Sequence, residues 1–475
     1  MKALQSYVPT TLLIRSQMLS RLRSLDPALR LSLAHRQVPI ALAGLFSLGV
    51  LFLFLNRLVD LKLYVVETIG IGLAAGVIYL IAYYLLDASD DSPATLWLIL
   101  FGAIVFRLTL FPLAPTLSDD IYRYRWDGRV QEASLNPYAV KPSDPLLAHL
   151  SDPQGPAIPG RDIPSLYPPL LELTYRFTYR YLSGPVAFKL PFLLADLLIV
   201  GMLAVWIRST GGRNSTLALY AWNPLVVVEL AASGHNDALA TAAVFAASLL
   251  IIRGRGTLST LLLAAGALFK VFPVVLFPFW LRRGGWPRSA WSWINLLAAA
   301  ALAAVCAWPF RSACARITET LAYYESRYQH NNASLYALLA WFSGSTDIAA
   351  GIGVGIVAGL SLWVAVRRPD TMKAASLLFG AILLLTPNAF SWYFTWLVPF
   401  LCFFPNPAWL LLTVLQFLSY HVLIDYQASG AWHFQPFFLW LTYGPFFALA
   451  LWRCLWPEMT AESSGRPAWQ RASFG

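Results

Sequence analysis

Charge is what this sequence has least of. Asp, Glu, Lys and Arg supply 12% of its 475 residues, about half of the ~25% usual in a soluble domain, so an ordinary solvated surface cannot be assembled from it. Cysteine is nearly missing as well. Cys306, Cys314, Cys402 and Cys454 are scattered, which argues against a disulfide framework and against cysteine-based zinc spacing. There is no Walker loop, no dinucleotide fingerprint and no His pair at zinc spacing. No stretch reads as a soluble nucleotide-binding domain.

What is present is apolar. Hydrophobic residues make up 58% of the chain, mean hydropathy is +0.59, and 19 Trp, 21 Tyr and 29 Phe suit interfacial belts and lipid-facing helices. This composition specifies an all-α polytopic membrane protein. The net charge of +10 does not imply a nucleic-acid partner, because Arg and Lys sit in short clusters between apolar runs, as the positive-inside bias requires.

A spanning helix needs roughly 20 apolar residues. Candidate spans are Val38–Leu58, Tyr64–Leu86, Ala94–Ala114, Val186–Arg208, Ser215–Ala232, Asp237–Ile252, Trp291–Phe310, Ile348–Val366, Met372–Thr386, Trp392–Phe404, Ala408–Leu423 and Phe434–Leu455, about twelve in all. Residues 257–281 break the pattern. The stretch is apolar but interrupted by Lys270, Pro273 and Pro278, and cations flank both ends: Arg253 and Arg255 before, Arg282, Arg283 and Arg288 after. Both ends therefore favour the cytoplasm, which predicts a broken or re-entrant helical hairpin. A single ordinary span is the alternative and inverts everything downstream.

With the hairpin, the cation clusters at 208–213, 253–255, 282–288 and 367–373 all fall on the cytoplasmic side, with both termini. Residues 1–37 are expected to form a basic cytoplasmic or interfacial segment without a cleavable signal, in which Leu12–Leu33 suits an amphipathic surface helix or, alternatively, a disordered basic tail. Residues 38–456 form the membrane domain, and 457–475 a cytoplasmic tail. Two extracytoplasmic loops are expected, 115–184 and 311–347, the first long and proline-rich enough to be a structured active-site loop.

Three polar clusters fall on that outer side. In Ser118-Asp119-Asp120-Ile121-Tyr122-Arg123-Tyr124-Arg125, Ser118 can cap a short helix with both carboxylates in its first turn. The functional alternative is that a carboxylate at the membrane surface acts as general base, with Arg123, Arg125 and Arg129 near in sequence as phosphate-binding cations. Glu229 and Ser233-Gly234-His235-Asn236-Asp237 form a second cluster at the tips of two apolar helices, where Asn236 or Asp237 can equally serve as a cap. The third runs from Glu325 through Arg327, His330 and Asn332 to Tyr336, where Arg327 and His330 can bind phosphate or simply face solvent. Lys270 is a lone cation among apolar residues. It either snorkels to the interface or binds a lipid phosphate.

At these clusters the chain resembles the membrane glycosyltransferases of the GT-C superfamily, and is most similar to the bacterial GT87-like, polyprenol-phosphate-mannose-dependent mannosyltransferases. The resembling stretches are Ser118–Tyr124 through Trp126-Asp127-Gly128 to Asn136-Pro137-Tyr138, then Tyr167-Pro168-Pro169, Trp222-Asn223-Pro224, Gly234–Leu239, Phe269–Pro273, Asn332–Tyr336, and Pro387 with Trp392-Tyr393. The resemblance implies a large structured outer loop and inverting transfer of a hexose, mannose by best match, from a polyprenyl-phosphate donor to a lipid or glycan acceptor at the outer face of the cell membrane. It implies Asp119 as the base, with Asp120 close behind. Substrate and phosphate contacts are expected from Tyr122, Arg123, Arg125, His235, Asn236, Asp237, Lys270, Arg327, His330, Asn332, Tyr336, Trp392 and Tyr393. No cofactor is demanded, although a divalent cation is compatible with adjacent carboxylates. One departure stands out: relatives often carry His-Pro before the Trp-Tyr pair, where this chain has Phe390-Ser391. Donor binding then falls to Arg327, His330 or His235. A transporter or flippase of lipid-linked saccharides is the rival, favoured by the broken hairpin around Lys270.

Overall fold

The computed structural model describes residues 36–89, 91–150, 158–313, 316–327, 332–430 and 432–455. The basic segment before residue 36 and the tail after 455 lie outside them. Every regular element among the described residues is helical. The helices are α1 (Gln37–Leu58), α2 (Val65–Ala88), α3 (Pro93–Leu110), α4 (Asp120–Glu132), α5 (Pro169–Tyr181), α6 (Leu190–Thr210), α7 (Ser215–Ala221) and α8 (Pro224–Val227). They continue as α9 (Asp237–Ile252), α10 (Gly256–Phe269), α11 (Phe277–Arg283), α12 (Ala290–Ala307), α13 (Arg316–Arg327) and α14 (Leu335–Ser343). The chain ends with α15 (Thr346–Arg367), α16 (Thr371–Leu385), α17 (Val398–Leu401), α18 (Pro407–Leu415), α19 (Val422–Ser429) and α20 (Pro436–Leu455).

Local chemistry sets the helix ends. Asn223 caps Leu225 and Val226 ahead of Pro224, Asn406 caps Ala408 ahead of Pro407, and Asp370 caps Met372 and Lys373. Each supplies an acceptor to N–H groups that have no helical partner, and proline at the first position sacrifices only a donor that would be orphaned anyway.

Eight stretches among the described residues are long and apolar enough to cross a bilayer, and nine if the bent pair α7–α8 is one span. This is a multi-pass helical membrane protein. The twelve expected spans do not all appear as continuous crossings. α9, α10 and α16 are apolar but only 16, 14 and 15 residues long. Trp392–Phe404 divides into a 3-10 segment, Ser391–Trp396, and the four-residue α17, because Pro399 withholds the N–H that an unbroken helix would need there.

The bend between α7 and α8 is 40° and its backbone is satisfied from outside. Tyr79 donates to the Leu219 carbonyl at 2.8 Å and Arg107 Nη1 to the Ala221 carbonyl at 2.8 Å, while the Trp222 side chain of the bend donates outward to the Ile99 carbonyl of α3 at 3.0 Å. Arg107 also grips Asp196 through two nitrogens, and Tyr220 donates to the same carboxylate at 2.8 Å. Both charges of that pair are fully buried. Irregular backbone at membrane depth survives only in such a protein-lined setting.

Residues 257–281 form the expected hairpin. α10 runs about 21 Å, the chain turns at the extended Lys270, and a 3-10 segment (Phe272–Leu276) with α11 carries it back. Trp280 Nε1 in α11 donates to Ser259 Oγ in the first turn of α10 at 2.8 Å. The cations at 253–255 and 282–283 thus share one face, and Lys270 stands at the opposite tip.

Residues 115–150 and 158–184 build a small helical unit on α4 and α5. Tyr124 stacks on Tyr175 with centroids 4.8 Å apart, and Gly128 lets the helices touch, since a Cβ there would lie 2.8 Å from Tyr179 Cβ. Gln131 donates to Glu172 at 2.7 Å, Ser165 also bonds Glu172, and Arg123 pairs with Asp127 at 3.1 Å. Burial pushes the carboxyls of both Asp127 and Glu172 upward, and Arg123 holds Asp127 while Ser165 and Gln131 hold Glu172.

Candidate active site

The chain leaves α3 at Leu110 and reaches α4 through a stretch pinned at both ends. The Leu61 N–H donates to Thr116 Oγ1 at 2.9 Å, and Lys62 Nζ pairs with Asp119 at 3.3 Å. Asp119 occupies the position before α4 without making a side-chain cap bond. Asp120, one residue on and about 100° further round the helix, accepts from Tyr124 at 3.3 Å. The two adjacent carboxylates therefore have different surroundings.

The opposite wall comes from α8. The helix widens into a π-turn over Val228–Ser233 and is stopped by Gly234 in the left-handed conformation (φ 75°). Lys189, fully buried, fixes this turn: its ammonium donates to the carbonyls of Leu113 at 2.8 Å, Ala231 at 3.0 Å and Ala232 at 2.9 Å. One cation thus joins the exit of α3, which leads to Asp120, to the π-turn, which leads to His235.

His235 is 1% exposed. Its Nδ1 lies 3.9 Å from Asp120 Oδ2 and its Nε2 lies 3.4 Å from Glu229 Oε2. Its ring stacks on Trp392 at 4.0 Å and 14°, and Trp392 stacks in turn on Phe390 at 4.5 Å. Glu229 accepts from Tyr420 at 2.6 Å. Beside this group, Asp237 at the start of α9 pairs with Lys270 at 2.6 Å and accepts from Trp396 Nε1. The Lys270 ammonium sits 4.6 Å from the Tyr393 ring centroid and 5.5 Å from that of Trp396. Asn236 donates to Tyr175 at 2.7 Å, tying the cluster to α5.

Two features mark this as more than a packed core. Glu229 Oε2, Ser233 Oγ, both ring nitrogens of His235, Asn236 Oδ1, Asp237 Oδ2 and Thr241 Oγ1 are buried without a hydrogen-bond partner. Buried polar atoms are nearly always paired, so seven orphans within one short stretch call for a ligand or ordered water. Moreover, Asp120 and Lys270 keep 29% and 21% of their side-chain surface open, while Glu229 and Asp237 keep none. The cluster opens at a carboxylate and an ammonium.

The Asp120 carboxyl is raised above its ordinary range, chiefly by burial. His235 and Lys270 pull it down, Asp237 pushes it up, and the Tyr124 hydroxyl favours the charged form. A carboxylate tuned upward and left open at a polar cleft has the attributes of a general base.

Of the residues expected at the site, His235, Asn236, Asp237, Lys270, Trp392 and Tyr393 are brought together with Asp120. Asp119 is one residue away but engaged by Lys62. Arg123 lies inside the loop unit, bonded to Asp127 and to the carbonyls of Gly160 at 2.8 Å and Ile163 at 3.2 Å. Arg125 donates to the Ser183 carbonyl at 2.6 Å on the exposed side of α4. Those engagements explain why neither guanidinium stands in the cluster. Tyr122 is half-buried against the main core. Asn332 is buried and donates to Ala389 O at 2.9 Å and Gln416 Oε1 at 2.8 Å. Tyr336 bonds Thr346 O at 3.2 Å within a separate small core. Arg327 ends α13, and His330 lies outside the described residues. Lys189, Trp396 and Tyr420 were not foreseen. Among the described residues, no three His, Cys, Asp or Glu side chains gather as a metal-ion group.

No curated protein and no solved structure matches the chain. A family model does match, over residues 27–282, more than half of the 475, and that stretch carries Asp120, Lys189, Glu229, His235, Asp237 and Lys270. The chain belongs to the MptA_B family, described by its alpha-(1->6)-mannopyranosyltransferase N-terminal domain, and is accordingly a membrane glycosyltransferase.

Proposed function

We propose that the chain moves a mannose from a polyprenyl-phosphate donor onto a hydroxyl of a lipid or glycan acceptor, with inversion, at the extracytoplasmic rim of the cell membrane, and that Asp120 is the general base. The observation that carries this reading is the open, upward-tuned Asp120 carboxylate facing His235 and the Lys270–Asp237 pair. In the reaction the acceptor oxygen attacks the anomeric carbon, its proton passes to Asp120, and the bond from that carbon to the phosphate oxygen breaks. Lys270 is the cation proposed to bind the departing phosphate, with Arg327, at the end of α13, and His330 as further candidates. The positive-inside bias of the 253–255 and 282–288 clusters supports the side, since Lys270 lies at the other end of the hairpin. An α-(1→6) linkage is the product that the family description supports.

The test is transfer of label from polyprenyl-phosphate mannose in membranes containing Asp120→Asn or Asp119→Asn protein. Asp120→Asn is expected to lose roughly 100- to 10,000-fold in turnover, and Asp119→Asn to stay within a few-fold of wild type. Near-normal turnover of Asp120→Asn would sink the assignment. Full loss in Asp119→Asn alone would return the role to Asp119.

A further inference from the structure

The proton taken by Asp120 has a place to go. Behind the carboxylate lies a line of side chains: Asp120 Oδ2, His235 Nδ1 at 3.9 Å, His235 Nε2, Glu229 Oε2 at 3.4 Å, and on the other oxygen of Glu229 the Tyr420 hydroxyl at 2.6 Å. Three chain segments supply it: α4, the π-turn after α8, and residues 391–420. A buried neutral histidine normally donates one ring N–H and often accepts at the other nitrogen. Here neither nitrogen has a hydrogen-bond partner, and the oxygen of Glu229 that faces the ring has none either. Glu229 is fully buried, and the ring that faces it is held flat against Trp392.

We infer that His235 and Glu229 form a proton relay for Asp120, a role that rests on Asp120 being the base. The acceptor hydroxyl gives its proton to Asp120. Asp120 passes it to His235 Nδ1, which becomes imidazolium between two carboxylates and against the face of Trp392, where a cation is favoured. Asp120 is thereby ionised again while the product is still bound, so the proton does not return to the new glycosidic oxygen. The proton leaves by the same route, through Asp120 to solvent, once the product has gone. No other reactant is needed. Glu229 never touches substrate. It orients the ring, and Tyr420 holds Glu229. The charged groups around the relay are Asp120 from α4 and Glu229 from the π-turn, with Lys270 and Asp237 acting on Asp120 from the hairpin tip and α9.

The test uses the full chain in detergent with labelled polyprenyl-phosphate mannose. His235→Ala is expected to lower turnover at saturating donor roughly 10- to 100-fold, leaving KM for the donor within a few-fold. Added imidazole should restore turnover, and pyrazole, a ring of the same size and far weaker basicity, should not. Equal rescue by pyrazole would mean that the ring only fills space and would overturn the relay, as would no rescue by imidazole. Glu229→Gln, which keeps an acceptor for Tyr420 but removes the charge behind the ring, should lower turnover without changing the melting temperature. Wild-type turnover in that variant would also overturn the relay, even if the alanine variant fails to fold. The outcomes separate from those for the base: an active Asp120→Asn removes the proposed reaction centre, whereas an inactive Asp120→Asn beside a fully active Glu229→Gln removes the relay alone.

Discussion

Gly234→Ala tests whether the turn that presents His235 is held as the structure describes. Two costs are separable there. The first is conformational: φ is 75° at Gly234, and a Cβ in the left-handed region costs about 1–2 kcal/mol. The second is steric, because the new Cβ would lie 2.7 Å from Lys189 Cδ. Lys189 cannot step aside freely, since its ammonium holds three carbonyls, so overpacking adds about 1–3 kcal/mol. Gly211 is the internal control. It ends α6 at φ 67° with nothing within 4 Å of the added atom, so Gly211→Ala carries only the first cost. Thermal unfolding in detergent, followed by tryptophan fluorescence, should rank wild type above Gly211→Ala and both above Gly234→Ala. Label transfer should persist in Gly211→Ala and fall steeply in Gly234→Ala, as the turn moves His235 away from Asp120. Equal melting temperatures for the two variants would refute the clamping of this turn by Lys189.

The remaining predictions concern charge. Since burial raises the Asp120 carboxyl and only the ionised form accepts a proton, turnover should fall as pH drops through a midpoint above the ordinary carboxylate range near 3.8; a pH–rate profile of kcat/KM that stays flat down to ordinary carboxylate values would contradict this. Lys270→Met should raise donor KM by about 10- to 100-fold, the worth of a hydrogen bond to a charged group, and an unchanged KM would remove Lys270 from phosphate binding. Arg107→Met should destabilise the fold by about 3–5 kcal/mol, because Asp196 is left buried and unpaired. Adding Asp196→Leu should recover much of that loss in the same melting assay, and a double variant as unstable as the single would show that the pair is not what matters there.

The apolar runs made most spans legible: α1, α2, α3, α6, α12, α15 and α20 fall where the hydropathy put them. The hairpin was legible too, because cations flank both of its ends and Lys270 interrupts it. Trp392–Phe404 was not. A mostly apolar stretch of thirteen residues can be a span edge or a buried irregular segment, and composition alone does not separate them. The sequence grouped Asp120 with His235, Asp237 and Lys270, which the fold brings together, but it did not separate them from Arg123, Arg125, Asn332 and Tyr336, which are engaged elsewhere. Asp119 and Asp120 are neighbours in sequence, and which one turns inward depends on the helical phase of α4 and on Lys62, 57 residues upstream. Tyr420 reaches Glu229 across 191 residues, a separation at which one sequence carries no pairing signal. Lys189 was not singled out, because nothing in the sequence marks the three carbonyls, 42, 43 and 76 residues away, that it binds.

A helix that spans a bilayer satisfies its own backbone and offers little polar surface to a reaction. In this chain the departures from regular α-helix collect around the cluster: the Asn223-Pro224 bend, the π-turn at Val228–Ser233, the extended Lys270 and the 3-10 segment at Ser391–Trp396. The extended Lys270 and the 3-10 segment bring Lys270 and Trp396 onto Asp237, the π-turn leads to His235 beside Asp120, and the carbonyls left over at the bend and the π-turn are taken by Tyr79, Arg107 and Lys189. The family match ends at residue 282, yet Trp392 stacks on His235, Trp396 bonds Asp237 and Tyr420 bonds Glu229. The cluster is therefore incomplete without residues 391–420. A chain ending after α11 would retain Asp120, His235 and Lys270 but would leave His235 and Glu229 without the aromatic wall and the hydroxyl that orient them.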